Sequence, residues 1–169
     1  MRVGLVSDTH DNLRNVRGAV EIFRREEVTR LLHCGDVCGA AVVEALEGFT
    51  VHFAQGNMDR MPALGLAVEA LQGSGHLARS YSLVLDGRRV ALLHGDDEGL
   101  LRHLIHSGQY AYVFHGHVHR QGDRRIGPTR VINPGALGGL RRGPRSICIL
   151  DLRTGQARFI EIAEKAEGG

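Results

Sequence analysis

Five apolar runs in the sequence each end in histidine, aspartate or asparagine, usually beside glycine. The five segments are Asp8-x-His10, Gly35-Asp36, Gly56-Asn57-Met58-Asp59, His94-Gly95-Asp96 and Gly116-His117-Val118-His119. Carboxylate oxygens, an amide oxygen and four imidazoles, without a thiolate, favour Mn, Fe, Zn or Ni over Ca or Mg. Seven donors exceed what one catalytic ion with an open position needs. The pattern therefore predicts two ions, roughly 3.5–4 Å apart, that share one carboxylate.

Each segment alone also has a purely structural explanation. Asp8 could cap a helix, a role that also suits Asp11 or Asn12. Asp36 could belong to a simple turn, and His117 and His119 could lie on one face of a surface strand. Five independent turns of this kind, each at the end of a strand, are a weaker explanation than one shared site. The combined pattern therefore favours a metal site over five separate structural roles.

The elements that must position these residues begin with an alternation of strands and helices. We predict strands at 2–7, 30–33 and 50–53, with helices at 12–27 and 39–46 between them. This order favours a parallel sheet with right-handed crossovers. Because ligands bind outside the carboxyl ends of strands in such sheets, the polar segments should converge on one pocket.

The second half of the chain is richer in strands. An Asp86-Gly87 turn indicates a hairpin, and a helix is predicted from Glu98 to Ser107. Further strands are predicted at 80–85, 89–93, 111–114, 122–125, 129–132, 146–150 and 157–162. So many strands indicate two mixed sheets packed face to face, with helices outside them. We expect one domain over residues 1–163 and a loose tail at 164–169.

Composition narrows the classes of function. The chain has 169 residues and a formal net charge of +2, which predicts no stable complex with nucleic acid. It has neither an apolar run that could cross a membrane nor a signal peptide, so a cytoplasmic location is expected. Three cysteines, an odd number, are expected to be reduced and mostly buried. A metal pair of Cys34 and Cys38 would have no second pair to complete it.

The order of the motifs resembles that of the calcineurin-like metallophosphoesterases: D-x-H, G-D, G-N-x-D, a single H and G-H-x-H. The match spans residues 3 to about 135. It is most similar to the small bacterial and archaeal branch of that superfamily, which also shares the segment Ile132-Asn133-Pro134-Gly135. The resemblance implies a four-layer fold, with two mixed sheets flanked by helices. It also implies a phosphoesterase that acts on a small phosphoester, preferring diesters, by attack of a metal-bridging hydroxide.

The resemblance further implies a role for each matched residue. Two divalent ions are expected, with Mn²⁺ preferred and Fe, Ni, Zn or Mg as alternatives. One position would be held by Asp8, His10 and His119, the other by Asn57, His94 and His117, and Asp36 would bridge them. Of these residues, Asp36, Asn57 and His94 are the ones expected to act in catalysis. Asn57 could donate its amide to a phosphate oxygen.

The sequence departs from the family pattern at two positions. Met58 stands where many members carry a histidine that is credited with protonating the leaving group, and a thioether cannot do so. Asp96 stands where the small branch often has another histidine. Asp59 and Asp96 are expected either to orient a histidine or the backbone, or to be exposed turn carboxylates. Both departures bear on substrate range.

Residues outside the matched motifs are expected to have other roles. His103 and His106 should be surface or packing residues of the predicted helix. The basic loop 138–143 is interpreted as solvated, with contact to an anionic substrate or a second subunit of a homo-oligomer as alternatives. The rival function is a non-catalytic scaffold, since a retromer subunit with this fold resembles the same branch but has an impaired metal site. Seven intact ligand positions favour the enzyme.

Overall fold

A computed structural model describes residues 1–163 as four helices and eleven strands. The helices are α1 (Leu13–Arg25), α2 (Ala40–Ala45), α3 (Ala63–Gln72) and α4 (Glu98–His106). The strands are β1 (Arg2–Val6), β2 (Arg30–His33), β3 (Thr50–Ala54), β4 (Leu77–Ala78), β5 (Ser80–Leu85), β6 (Arg88–Leu93), β7 (Tyr112–Phe114), β8 (Gln121–Ile126), β9 (Thr129–Pro134), β10 (Ser146–Asp151) and β11 (Ala157–Glu161). The predicted tail at 164–169 lies outside the described residues.

The strands form two mixed sheets. Sheet A has the order β11-β10-β1-β2-β3-β4, and sheet B has the order β5-β6-β7-β9-β8. In sheet A, β1 to β4 run parallel to one another, and β10 runs antiparallel to both of its neighbours, β1 and β11. In sheet B, β6, β7 and β9 run parallel. The carboxyl ends of β1, β2, β3, β6 and β7 precede the five polar segments, so the two sheets bring these segments together.

Alternating side chains on the strands create the layers. On β1, Val3 and Leu5 face sheet B across the core between the sheets, whereas Val6 faces the helices. Helices α1, α2 and α3 cover the outer face of sheet A, and α4 covers part of the outer face of sheet B. The architecture is therefore helix, sheet, sheet, helix, which confirms the predicted fold class.

Helix α1 shows how local sequence sets this packing. The Asn12 side chain caps its first turn, and Val16, Val20 and Phe23 recur at helical spacing on the buried face. Gly4 on β1 leaves room for the Phe23 ring, since a Cβ at Gly4 would lie 2.6 Å from that ring. Burial of an aromatic side chain of this size contributes about 2–3 kcal/mol to stability.

Two elements were not predicted from the sequence. Helix α3 follows Pro62 and contains Gly65, which lowers helix propensity and leaves the segment without a clear helical signal. Strand β4 has only two residues and is held by pairing with β3. The other predicted strands and helices are present, with ends that differ from prediction by one or two residues.

Candidate metal centre

Five of the seven predicted ligands have left-handed backbone conformations. The φ angles are 51° at Asp8, 43° at His10, 55° at Asp36, 68° at His117 and 55° at His119. This conformation costs a non-glycine residue about 1–2 kcal/mol. It turns the chain sharply where each strand ends, so that the side chains of neighbouring loops point to a common centre. Strain of this kind, repeated at five convergent side chains, marks a functional site rather than ordinary turns.

The first group of predicted ligands consists of Asp8, His10, Asp36 and His119. Their ligand atoms all lie within 4.8 Å of one another. Nε2 of His119 is 3.2 Å from Asp8 Oδ1, and Nε2 of His10 is 3.5 Å from Asp36 Oδ2. The two Nε2 atoms of His10 and His119 are 3.2 Å apart. Two nitrogens and two carboxylates around one point form a donor set suited to a divalent transition metal.

The second group consists of Asn57, His94 and His117 around Asp36. Nε2 of His94 lies 3.1 Å from Asn57 Oδ1, 3.2 Å from His117 Nδ1 and 3.4 Å from Asp36 Oδ2. Asp36 Oδ2 thus faces an imidazole of each group. All seven predicted residues lie in one continuous cluster.

Backbone carbonyls fix the orientation of two of the imidazoles. His94 Nδ1–H donates to the Cys34 carbonyl over 2.8 Å, and His119 Nδ1–H donates to the Leu140 carbonyl over 2.7 Å. A neutral imidazole carries one proton, so both Nε2 atoms then have a free lone pair that points into the cluster. Such outer hydrogen bonds are the usual support of metal-binding histidines.

Several atoms in the cluster need a cation. The lone pairs of His94 Nε2 and Asn57 Oδ1 face each other, and His94 Nε2 also faces Asp36 Oδ2. Oδ1 of Asp8 is buried without a hydrogen-bond partner. Acceptors that face only other acceptors are unfavourable when buried. The residues present therefore fit divalent metal ions.

Without a metal, a proton takes this place at His94. Burial lowers the pKa of His94, but the hydrogen bond to Asp36 and the charges of Asp8 and Asp36 outweigh it and raise the pKa to about 9. A metal that binds His94 Nε2 must displace this proton. Metal binding is therefore expected to release protons and to weaken as the pH falls.

Asp59 joins the two loops that carry Asp36 and Asn57. Its carboxylate accepts hydrogen bonds from the backbone N–H of Cys38 over 2.8 Å and of Gly56 over 2.7 Å. The Met58 N–H also donates to Asp36 Oδ1 over 2.9 Å. Asp59 is therefore a structural support of the site, which decides between the two roles predicted for it.

The glycine beside Asn57 is required by close packing. A Cβ at Gly56 would overlap the Oδ1 and backbone nitrogen of Asp36. The loop after β3 can approach Asp36 only because this side chain is absent.

Other supporting residues were not predicted as part of the site. Ser7 donates its hydroxyl to Asp8 Oδ2 over 2.6 Å, and Asn133 donates to the Gly116 carbonyl over 2.8 Å. Asn133 belongs to the Ile132-Asn133-Pro134-Gly135 segment noted in the sequence, so that segment positions the turn before His117. For Ser7, the only feature of the sequence that could have indicated this role is its position directly before Asp8.

Loop 138–143 is exposed at residues 139–142, as the sequence predicted, but its backbone also supports the site. Its Gly138 N–H donates to the Asp8 carbonyl over 2.7 Å, and its Leu140 carbonyl orients His119. Arg145 in turn donates to the carbonyls of Gly138 and Gly139. The loop acts through backbone atoms, which leave no residue-type signal in the sequence.

His33 forms a second buried network behind the site. Its Nδ1 accepts from the Gly35 N–H over 3.2 Å, so its protonated Nε2 faces Thr9 Oγ1 at 3.2 Å. The Thr9 hydroxyl lies 3.3 Å from the Asp36 carbonyl. Burial lowers the pKa of His33 to about 3, so this imidazole stays neutral.

The remaining predicted residues lie outside the cluster or at its edge. Met58 is exposed, and Asp96 pairs with Arg79 at 3.3 Å rather than with a ligand. His103 and His106 lie on α4, away from the strand ends. The three cysteines, Cys34, Cys38 and Cys148, are buried and unpaired. Within the described residues, no helix is long and apolar enough to cross a membrane.

Comparison with known proteins agrees with this geometry. The family model of the calcineurin-like phosphoesterase superfamily domain matches residues 1–155. Phosphodiesterase MJ0936 from Methanocaldococcus jannaschii is 32% identical over 163 residues, which cover 95% of this chain and 98% of the relative.

Two solved structures share the fold. A structure described as a novel archaeal phosphodiesterase is 32% identical, has a TM-score of 0.89 and is matched over 95% of this chain and 99% of its own. Vacuolar protein sorting 29 from Cryptosporidium parvum is 20% identical, with a TM-score of 0.68 and coverage of 94% and 95%. The matching family model, the extensive similarity to MJ0936 and the shared fold show the same relationship: the chain belongs to the calcineurin-like phosphoesterase superfamily.

Proposed function

We propose that the protein is a dinuclear metal-dependent phosphodiesterase that acts on a small phosphoester. The observation that carries this proposal is the position of Asp36, whose Oδ2 lies 3.5 Å from His10 Nε2 and 3.4 Å from His94 Nε2. A carboxylate oxygen between two imidazole-rich groups is suited to hold two cations together. Similarity to a relative named as a phosphodiesterase supports the diester preference.

The seven residues would hold the two ions as the family resemblance implies. Asp36 would be shared, while the remaining ligands are Asp8, His10 and His119 for one ion and Asn57, His94 and His117 for the other. When bound, two such ions supply a water of lowered pKa and a Lewis-acid clamp on phosphoryl oxygens. We propose Mn²⁺ as the native metal, with Fe, Ni, Zn or Mg as alternatives, and a cytoplasmic location.

The chain's own residues contribute orientation and charge. Hydrogen bonds to the Cys34 and Leu140 carbonyls hold His94 and His119 in one tautomer. The amide group of Asn57 could donate to a phosphate oxygen while its carbonyl oxygen faces His94. Met58 offers no acidic proton, so this position cannot protonate the leaving group.

A scaffold role is the rival proposal, and its support is the fold shared with vacuolar protein sorting 29. The complete ligand set favours the enzyme, since a scaffold has no need for seven convergent and partly strained side chains.

Metal analysis of the purified protein, coupled to hydrolysis of bis(p-nitrophenyl) phosphate and p-nitrophenyl phosphate, tests both proposals. The assays are run with Mn, Ni, Co, Zn and Mg. We expect two equivalents of metal and faster hydrolysis of the diester. Tight metal binding without hydrolysis of either ester contradicts the enzyme.

A further inference from the structure

A pocket opens beside His117 on the outer face of sheet B. Its volume is about 480 Å³, within the range of small-molecule sites. One wall is α4, which contributes Leu101, Arg102 and Ile105. The opposite wall is the edge strand β8, and His117 lies at the end nearest the metal centre.

The register of β8 explains why the pocket is not filled. Gly122 pairs with Asn133, and Arg124 pairs with Val131, so these four residues share the face that lines the pocket. Gly122 has no side chain, and a Cβ there would meet only the Asn133 Cβ, at 3.9 Å. Helix α4 covers the sheet only on its own side of this gap, so the space between α4 and β8 stays open.

The charge of the pocket is predominantly positive. It is lined by Arg102, Arg120 and Arg124 and by a single carboxylate, that of Glu98. Within residues 1–163, none of the three arginine side chains makes an ion pair or a hydrogen bond. Guanidinium groups without protein partners are available to bind phosphate or carboxylate.

The floor of the pocket is apolar, with contributions from Leu101, Ile105, Ile126 and Val131. An apolar floor below a cationic rim fits a flat ring system that carries an anionic group. The reacting phosphate would lie at the metal centre, and one arm of the diester would extend past His117 into the pocket.

We propose that this pocket binds one arm of the substrate, and that this arm carries a ring and a second anionic group. The inference rests on the proposed function and adds the class of substrate, a phosphodiester with a further phosphate or carboxylate. A nucleoside bearing a second phosphate has this chemistry and provides suitable probes.

The first test compares two chromogenic esters, thymidine 5′-(p-nitrophenyl phosphate) and the same ester with a 3′-phosphate. In both, water attacks the 5′-phosphorus, the bond to p-nitrophenolate breaks and the water proton passes to solvent. We expect kcat/KM to be at least tenfold higher for the 3′-phosphorylated ester, with a smaller ratio at high salt. Equal values for the wild type would overturn the inference.

Variants locate the effect in the pocket. Arg102→Gln and Arg124→Gln should each lower the ratio at least threefold, and the double variant should bring it close to one. Arg125→Gln is the matched control, because Arg125 is exposed on the same strand with its side chain on the opposite face. A ratio that falls equally in the control would assign the effect to general charge and overturn the inference.

A steric variant tests the same space. Gly122→Leu should raise KM for both nucleoside esters and leave methyl p-nitrophenyl phosphate, which has a minimal arm, unchanged. Unchanged KM for the nucleoside esters would contradict the pocket.

Calorimetric binding of thymidine 3′,5′-bisphosphate, compared with thymidine 5′-monophosphate, provides a measurement that does not depend on catalysis. If no ester is hydrolysed, the proposed function fails. Tighter binding of the bisphosphate than of the monophosphate, lost in Arg124→Gln, would still support the pocket. Equal binding of the two nucleotides would refute the pocket.

Discussion

The backbone N–H of His117 donates a hydrogen bond to Asp8 Oδ2 over 3.1 Å. Asp8 belongs to one ligand group and His117 to the other, so this carboxylate also fixes the turn that carries a ligand of the second group. Its other oxygen, Oδ1, faces His119 at 3.2 Å. The two oxygens of Asp8 therefore have separate functions that substitutions can separate.

Asp8→Asn and Asp8→Ala are expected to differ in the number of ions lost. Asp8 Oδ2 accepts hydrogen bonds from the Ser7 hydroxyl and the His117 N–H, and the amide oxygen of an asparagine can accept both. Asp8→Asn should therefore lose the first ion and keep the second, whereas Asp8→Ala should weaken both. Metal content by mass spectrometry checks this, and equal losses in the two variants would show that the turn does not depend on Asp8.

Asp36→Asn should lower activity more than Asp8→Asn, because a shared ligand positions both ions. Loss of a group that only supports a ligand typically changes metal affinity about 10–100-fold, and loss of a bridging ligand should exceed this. The measurements are metal content and kcat for bis(p-nitrophenyl) phosphate. Equal losses of activity with one ion retained in both variants would contradict the bridging role. His103→Ala and His106→Ala are controls and should keep the full metal content.

Gly56→Ala should impair the centre although no ligand is changed. Its Cβ would overlap Asp36, and both the Gly56 and Met58 backbone amides are hydrogen-bonded within this part of the site. We expect a loss of metal affinity of at least tenfold, measured by competition with a chelator. Gly65→Ala in α3 is the matched control, since its Cβ would meet the flexible end of Met61 at 3.2 Å and the Leu77 side chain at an ordinary 3.9 Å. Similar affinities in both variants would refute the steric argument.

The stability of the metal-free protein should fall as the pH decreases below about 6.5, in part because of His33. The pKa of His33 is lowered to about 3 in the folded state by burial, so below pH 6.5 the unfolded chain binds a proton that the folded chain does not. Each such proton changes the free energy of unfolding by about 1.4 kcal/mol per pH unit. The contribution of neutral His33 is thus present above pH 6.5 and is lost progressively towards pH 3.

His33→Asn isolates this contribution, since asparagine can accept from the Gly35 N–H but does not titrate. Urea unfolding between pH 7 and 5 should give a shallower pH dependence for this variant than for the wild type. His103→Asn, which removes an exposed imidazole, is the matched control. A dependence in His33→Asn as steep as in the wild type would refute the assignment.

Met58→His should raise activity on esters with poor leaving groups more than on nitrophenyl esters. Met58 is 55% exposed and adjacent to Asn57, so an imidazole at this position can approach a bound ester through solvent. A tenfold gain needs only about 1.4 kcal/mol, within the range of one general acid. The measurement is kcat/KM for an alkyl and a nitrophenyl phosphodiester at equal metal occupancy. An unchanged ratio of the two values would show that Met58 does not set the preference.

The sequence predicted the part of the site that depends on side chains. His94 and His117 could be placed because each follows an apolar run that forms a buried strand, and the carboxyl ends of those strands meet. The carbonyl groups of Cys34 and Leu140 could not be predicted, since every residue has a carbonyl and only the folded chain decides which one faces an imidazole.

The fold was predictable from the pattern of side chains, and the elements that the prediction missed have a physical cause. Strong alternation identified the strands of both sheets, whereas β4 is formed by its neighbour rather than by its two residues. The pocket beside His117 was also beyond prediction, because it depends on the absence of a side chain at Gly122 and on the gap between two elements distant in sequence.

The position of β1 between β2 and β10 has a consequence for synthesis of the protein. Residues 2–5 pair with residues 148–151, so the strand that precedes Asp8 gains its second neighbour only after residue 151 has been translated. The carbonyl that orients His119 also comes late, at Leu140. Nascent chains that do not yet contain these residues should therefore be unable to hold the metals tightly.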